Sequence, residues 1–190
     1  MRIFIFRRAE IQSKKSAGKA YYQFNLYDPI FLEEFDSICA FDVLEHIDED
    51  KLVLKNMYKC LKPGGFLFIT VPACKKLWSI TDEFAKHRRR YSSKELKEKV
   101  ESSGFKVLKL SYFMTFLFPF IAFSRIVSRS TFYKKLNNTD FKTQTFTEIE
   151  IDPILNQLFY LIFRIEAQFI PFVNFTFGSN LLLVAIKRKD

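Results

Sequence analysis

The stretch that most constrains the fold is residues 35–73, "FDSICAFDVLEHIDEDKLVLKNMYKCLKPGGFLFITVPA". Its two apolar runs, residues 35–41 and 66–71, read as strands covered on both faces, which carry near-continuous apolar sequence. Between them lies a helix with a legible start. Asp48 can cap it, Glu49 and Asp50 suit the positive end of its dipole, and Ile47 can staple onto Leu52. Leu54, Met57, Tyr58 and Leu61 then recur at helical spacing and define one buried face. The run Lys62-Pro63-Gly64-Gly65 stops the helix, because glycine supplies left-handed geometry and proline forbids continuation. A strand, a helix and a strand in this order are a crossover between parallel strands.

The rest of the chain extends that pattern. Residues 3–12 fit a short amphipathic helix, and residues 21–26 a strand stopped by Asp28-Pro29. After a loop over residues 72–91, Ser92 with Glu95 makes a capping box for a helix to about Ser102, with Gly104 just past its end. Residues 105–113 and 180–189 read as further strands. The fold class is therefore α/β, a partial doubly wound, mostly parallel sheet with helices on both faces. Residues 114–178 form an apolar, helical insertion before the last strand. In it, Ile154, Leu158, Leu161, Ile162, Ile165 and Phe169 mark a helical stripe, widened by Phe159 and Phe163. That helix packs on the domain, covers an apolar substrate, or lies on a membrane surface.

Composition narrows the function classes. At 190 residues, with 48% apolar and 27% charged residues, the chain is that of one globular domain. The net charge of +9 is scattered in short clusters, and no RNA- or DNA-binding motif accompanies it, so no nucleic-acid partner is expected. An acidic substrate or an anionic membrane surface explains the charge as well. The 24 phenylalanines are as easily a product of nucleotide bias as of function. Cys39, Cys60 and Cys74 lack metal-binding spacing and suit reduced thiols in a cytoplasmic protein. With only two histidines, no His-based metal site is expected. No apolar run reaches the roughly 20 residues that span a bilayer.

In an open α/β sheet, ligands bind beyond the carboxyl ends of the strands. The run at residues 35–41 ends in such a place, so Asp42, Glu45 and His46 would face a crevice; the alternative is a solvated loop. Context adds to this. The whole of residues 35–73, with the continuation "LWSITDEFAKHRRRY", the helix "SSKELKEKVESSGF" and the terminal "FGSNLLLVAIKRK", resembles class I S-adenosylmethionine-dependent methyltransferases. The resemblance runs from about Tyr21 to the end and is weaker over residues 128–153. It implies that Phe41, Asp42 and Val43 lie beside the methionine and sulfonium part of the cofactor S-adenosyl-L-methionine. Glu45 and His46 would then lie at the substrate rim. The place of the acid near the adenine amino group is taken by Asn25, with Asp28 three residues later. Methyl transfer needs an in-line approach, and positioning alone can supply roughly 7–11 kcal/mol. A base is needed only where the acceptor loses a proton, and His46 and His87 are the catalytic candidates. Arg88 and Arg89, with Tyr91, would clamp an anionic group of the substrate; a solvated basic loop is the alternative.

The same family begins with a strand, a Gly-rich turn, a helix and a second strand ending in an acid. This chain has five glycines, none of them in G-x-G. The expectation is a single truncated domain over residues 1–190, with its sheet core in 21–113 and 179–190. Such a domain would expose the apolar edge of the strand at 35–41, inviting self-association, and would bind the cofactor weakly or not at all. Two functions follow. One is a partial methyltransferase acting on a small, lipid-like or otherwise hydrophobic molecule, cytoplasmic or peripheral to the membrane. The other is a non-catalytic module that pairs through its open edge.

Overall fold

A computed structural model describes residues 3–6, 25–28, 31–129 and 152–189. The elements in chain order are β1 (Ile3–Phe6), β2 (Phe35–Phe41), α1 (Asp50–Cys60), β3 (Leu61–Pro72) and α2 (Ile80–Phe84). They continue with α3 (Ser93–Ser102), β4 (Phe105–Phe113), α4 (Phe118–Arg129), α5 (Pro153–Phe169) and β5 (Asn180–Lys187). The strands make one sheet in the order β1-β2-β3-β5-β4.

The central crossover forms as its sequence predicts. β2 and β3 are parallel, with Ile38 opposite Leu67 and Ala40 opposite Ile69. Gly64 turns the chain at a φ of +79°. At Gly65 a side chain would lie 2.9 Å from the Lys62 carbonyl oxygen and 3.2 Å from that of Asp36, so the next strand can approach only without one. Alternate residues of β3 and β5, including Leu67, Ile69, Val71, Leu181, Leu183 and Ala185, are buried with Leu54 and Met57 of α1 and with Leu96 and Val100 of α3. On the opposite face, Phe66 is exposed while Phe68, Val184 and Ile186 are half-buried among the described residues.

The fold is the expected partial α/β one, but the sheet expected to be mostly parallel is mixed, with β2 and β3 the one parallel pair among the described strands. β5 runs antiparallel to both β3 and β4, and β1 antiparallel to β2. Of the helix expected over residues 3–12, residues 7–12 lie outside the described residues, and the rest is corrected: Ile3–Phe6 is a strand, paired from Ile3 with Ala40 to Phe6 with Ser37. Its Ile-Phe-Ile-Phe composition favours extended backbone, and the free hydrogen-bonding edge of β2 supplies partners that an isolated helical turn lacks. The edge of β2 is therefore paired. Of the strand expected at residues 21–26, residues 21–24 lie outside the described residues, and Leu26 belongs to a turn. The cap of α1 is also corrected. Glu49 occupies the N-cap with no side-chain bond, and Asp48 instead lies 3.6 Å from the Arg88 guanidinium. Leu52, expected under Ile47, is exposed, while Val53 is buried.

Among the described residues, the stripe of α5 is not packed away. Ile154 is 79% exposed and Leu158 and Leu161 about half. One residue of this helix, Glu166, is buried, accepting from the amides of Thr115 (3.2 Å) and Phe116 (3.0 Å). No helix among the described residues is long and apolar enough to cross a membrane.

One buried acid ties the helical layer together. Asp50, at the start of α1, accepts from the Tyr91 hydroxyl (2.7 Å), from Arg89 (3.1 Å) and from Lys99 of α3. Burial alone would raise this carboxyl. The hydrogen bonds of Lys99 and Tyr91, with the charges of Lys99 and Arg89, outweigh burial and hold it below the usual carboxylate range. Asp50→Ala would strand two cations and a phenol, and is expected to cost about 3–5 kcal/mol in urea unfolding. Tyr91→Phe, which deletes one bond, should cost nearer to about 1 kcal/mol. Because the folded-state carboxyl is depressed, its contribution is complete above the unfolded carboxyl's value near about 3.9 and is lost as pH falls through that value toward the folded one. Urea midpoints of the parent chain should decline across that acid range, and those of Asp50→Asn less steeply.

Candidate functional site

The carboxyl tip of β2 is drawn out of the sheet by one residue. Asp42 has a φ of +51°, a left-handed geometry that aspartate tolerates better than most residues. Its amide still bonds the Thr70 carbonyl of β3 (3.0 Å), and the Thr70 hydroxyl lies 3.3 Å from its carboxylate. Phe41 and Asp42 are exposed, whereas Val43 is buried. A single 3₁₀ turn, Leu44–His46, follows and swings Glu45 into the interior.

The second half of the site comes from the loop between β3 and α3. Here Ser79 and Asp82 form a reciprocal capping box at the start of α2. Asp82 is buried and has further partners, with Arg90 Nε and His87 Nδ1 at 2.8 and 2.9 Å and Arg125 of α4 at 3.7 Å. Arg125 also donates to the Ser79 hydroxyl. Burial would raise the Asp82 carboxyl, but the bonds of His87 and Arg90 and the Arg90 charge keep it low. The amide of Arg88 donates to the Glu45 carbonyl oxygen (2.7 Å), stitching this loop to the 3₁₀ turn.

That stitch brings Glu45, His46 and His87 together. Glu45 Oε1 lies 3.9 Å from His46 Nε2 and 4.0 Å from His87 Nε2. The two imidazoles meet edge to face at 4.9 Å between centroids. Glu45 is fully buried, and neither of its oxygens accepts a hydrogen bond from another described residue. Burial therefore pushes its carboxyl up to about 7, with Asp42 adding and its own amide and Arg90 opposing. A carboxyl that titrates near neutrality between two imidazoles can take a proton from an acceptor or hold a cation.

The other predicted residues fall elsewhere. Arg89 and Arg90 are spent on Asp50 and Asp82, and Arg90 also donates to the Ala73 carbonyl (2.8 Å). Of the basic cluster named as a clamp, Arg88 presents the most side-chain surface, beside Asp48. Tyr91 is fully buried with its hydroxyl on Asp50, and burial and that carboxylate drive the phenol's ionisation far upward. Asn25 and Asp28 belong to a turn whose residues Leu26 and Tyr27 accept from Asn56, well along α1. α1 starts near the β2 tip and runs back, so this turn lies roughly 9 Å along the helix axis from its start. Asp82 and Asn56 carried no sequence signal of their roles beyond the spacing of Ser79 and Asp82.

Arg90→Ala would leave Asp82 buried with its principal cation gone, and a loss of about 3–5 kcal/mol is expected. Arg88→Ala removes an exposed side chain and should stay within about 0.5 kcal/mol. Paired chemical denaturation curves check both.

Comparison with known proteins identifies the family. A family profile described as a methyltransferase domain matches residues 4–110, more than half of the chain. Over 46 residues the chain is 37% identical to the mitochondrial ubiquinone biosynthesis O-methyltransferase of Dictyostelium discoideum, a match covering 24% of this chain and 14% of that protein. Among solved structures, a candidate methyltransferase of Bacillus halodurans C-125 superposes with a TM-score of 0.51 at 18% identity, over 88% of this chain and 77% of that one. An S-adenosylmethionine-dependent methyltransferase of Thermotoga maritima gives 0.49 at 18% identity, over 90% and 65%. At 18% identity the Bacillus superposition speaks to fold alone. The profile match is what assigns the family, and by it the chain belongs to the methyltransferase domain family.

Proposed function

We propose that this chain carries the acceptor side of an S-adenosylmethionine-dependent methyl transfer to a small hydrophobic molecule. The observation behind this reading is the meeting of Glu45, His46 and His87 beside the exposed tip Phe41-Asp42. In an open α/β sheet that tip is where a ligand sits. The apolar faces of α4 and α5 favour an apolar acceptor, and Arg125 ties α4 to the Asp82 side of the site. His46 and His87 are the bases available where the acceptor must lose a proton and no cation lies between their rings, and Arg88, exposed beside Asp48, is the cation assigned to an anionic group of the acceptor.

The residues present fit the methionine end of the donor and not its adenosine end. Phe41 and Asp42 offer one open wall. The four glycines among the described residues, Gly64, Gly65, Gly104 and Gly178, serve turns and close packing elsewhere. The position beside β2 is taken by β1, running antiparallel. A ribose or adenine contact is thus not supplied by the described residues, and donor binding by this chain alone is weak. A non-catalytic role has one observation in its favour, the same β1 in that position.

Ligand-observed saturation-transfer NMR with S-adenosylmethionine tests the placement. Saturation should be strongest on the methionine protons and fall in Asp42→Ala, while calorimetry detects no micromolar binding. Strongest saturation on the adenine protons, or micromolar binding unaffected by Asp42→Ala, overturns it.

A further inference from the structure

We infer that Glu45, His46 and His87 form a binding site for one divalent transition-metal ion of the zinc type. Their ligand atoms all lie within 4.8 Å of one another. A tetrahedral ion with metal–nitrogen bonds of about 2.0–2.1 Å needs neighbouring ligands roughly 3.3 Å apart. The 3.9 and 4.0 Å separations therefore close with sub-ångström movements of each side chain.

The outer nitrogen of each imidazole is already committed. His87 Nδ1 lies 2.9 Å from the buried Asp82 carboxylate, and His46 Nδ1 lies 3.3 Å from the Lys86 carbonyl oxygen. Both partners only accept, so both Nδ1 atoms donate to them, which leaves Nε2 of each ring, 3.9 and 4.0 Å from Glu45 Oε1, as the atom free to ligate. Three acceptors then converge on one point with no donor from a described residue between them. A carboxylate and a backbone carbonyl behind two histidines are the outer contacts that orient metal-bound imidazoles.

Glu45 supplies the independent sign. It is fully buried and neither oxygen accepts a hydrogen bond from another described residue. A buried acceptor left unpaired is costly, and a cation at this point would satisfy one of its oxygens and one nitrogen of each imidazole. The side chains of His46 and His87 are 28% and 18% exposed, so the site opens on the histidine side. Three protein ligands with an open side leave a fourth position for water or another oxygen donor. Two imidazoles and one carboxylate favour zinc, iron, cobalt or nickel over magnesium and calcium, which prefer oxygen ligands alone. The metal site stands whether or not the chain transfers a methyl group.

Titrating the EDTA-treated 190-residue chain with zinc chloride in a calorimeter tests it directly. The expected result is saturation at one equivalent, with a raised melting midpoint. Cobalt chloride should give the visible bands of a low-coordinate cobalt ion. Glu45→Gln and His46→Gln should each weaken zinc binding by about tenfold or more, while metal-free melting midpoints show that both variants remain folded. Absence of stoichiometric binding, or binding unchanged in both folded variants, overturns the inference.

Discussion

Two buried aspartates hold the functional end of this molecule in place. Asp50 gathers the start of α1, the body of α3 and the loop residues Arg89 and Tyr91. Asp82 gathers α2, His87, Arg90 and α4. Between these anchors, residues 87–91 have almost no freedom, and His87 is delivered to Glu45 although 42 positions separate them. Ion pairs inside a protein seldom raise stability above that of a well-packed apolar core, but breaking one is costly. Here they fix the path of a loop that has few apolar residues of its own.

Much of the scaffold was legible in the sequence because its signals are local. The apolar run at Phe35–Phe41, the glycine-proline stop at residues 62–65 and the Ser92 cap each predict their own element. Ser92 does accept from the Glu95 amide, as expected, although Glu95 turns its carboxylate to Lys75 and Lys99. The N-terminal strand was misread because Ile3–Phe6 carries too few residues for a period to decide, and its pairing with β2 is a tertiary effect. The same holds for the cap of α1: Asp48 has the right chemistry, yet Arg88, distant in sequence, draws it away.

The site was legible in half. Asp42, Glu45 and His46 stand together at a strand end, where topology alone points to a ligand. The partnership of His46 with His87 was not legible, since it depends on a loop folded back by bonds between residues 79 and 90. For the same reason, the three consecutive arginines looked like one basic patch. The fold sends them to three different acids, so that Arg89 and Arg90 became internal ties to Asp50 and Asp82 while Arg88 stays at the surface beside Asp48.

The four-rung pairing of β1 with β2 has a consequence for how this sheet meets other chains. Its hold is slight beside that of β3 with β5, which share seven paired positions. Among the described residues, a longer extended segment offered in trans would have only these four pairs to displace. The outer boundary of the sheet is in this sense a replaceable lining, and the wall opposite Phe41 would change with whichever segment occupies it.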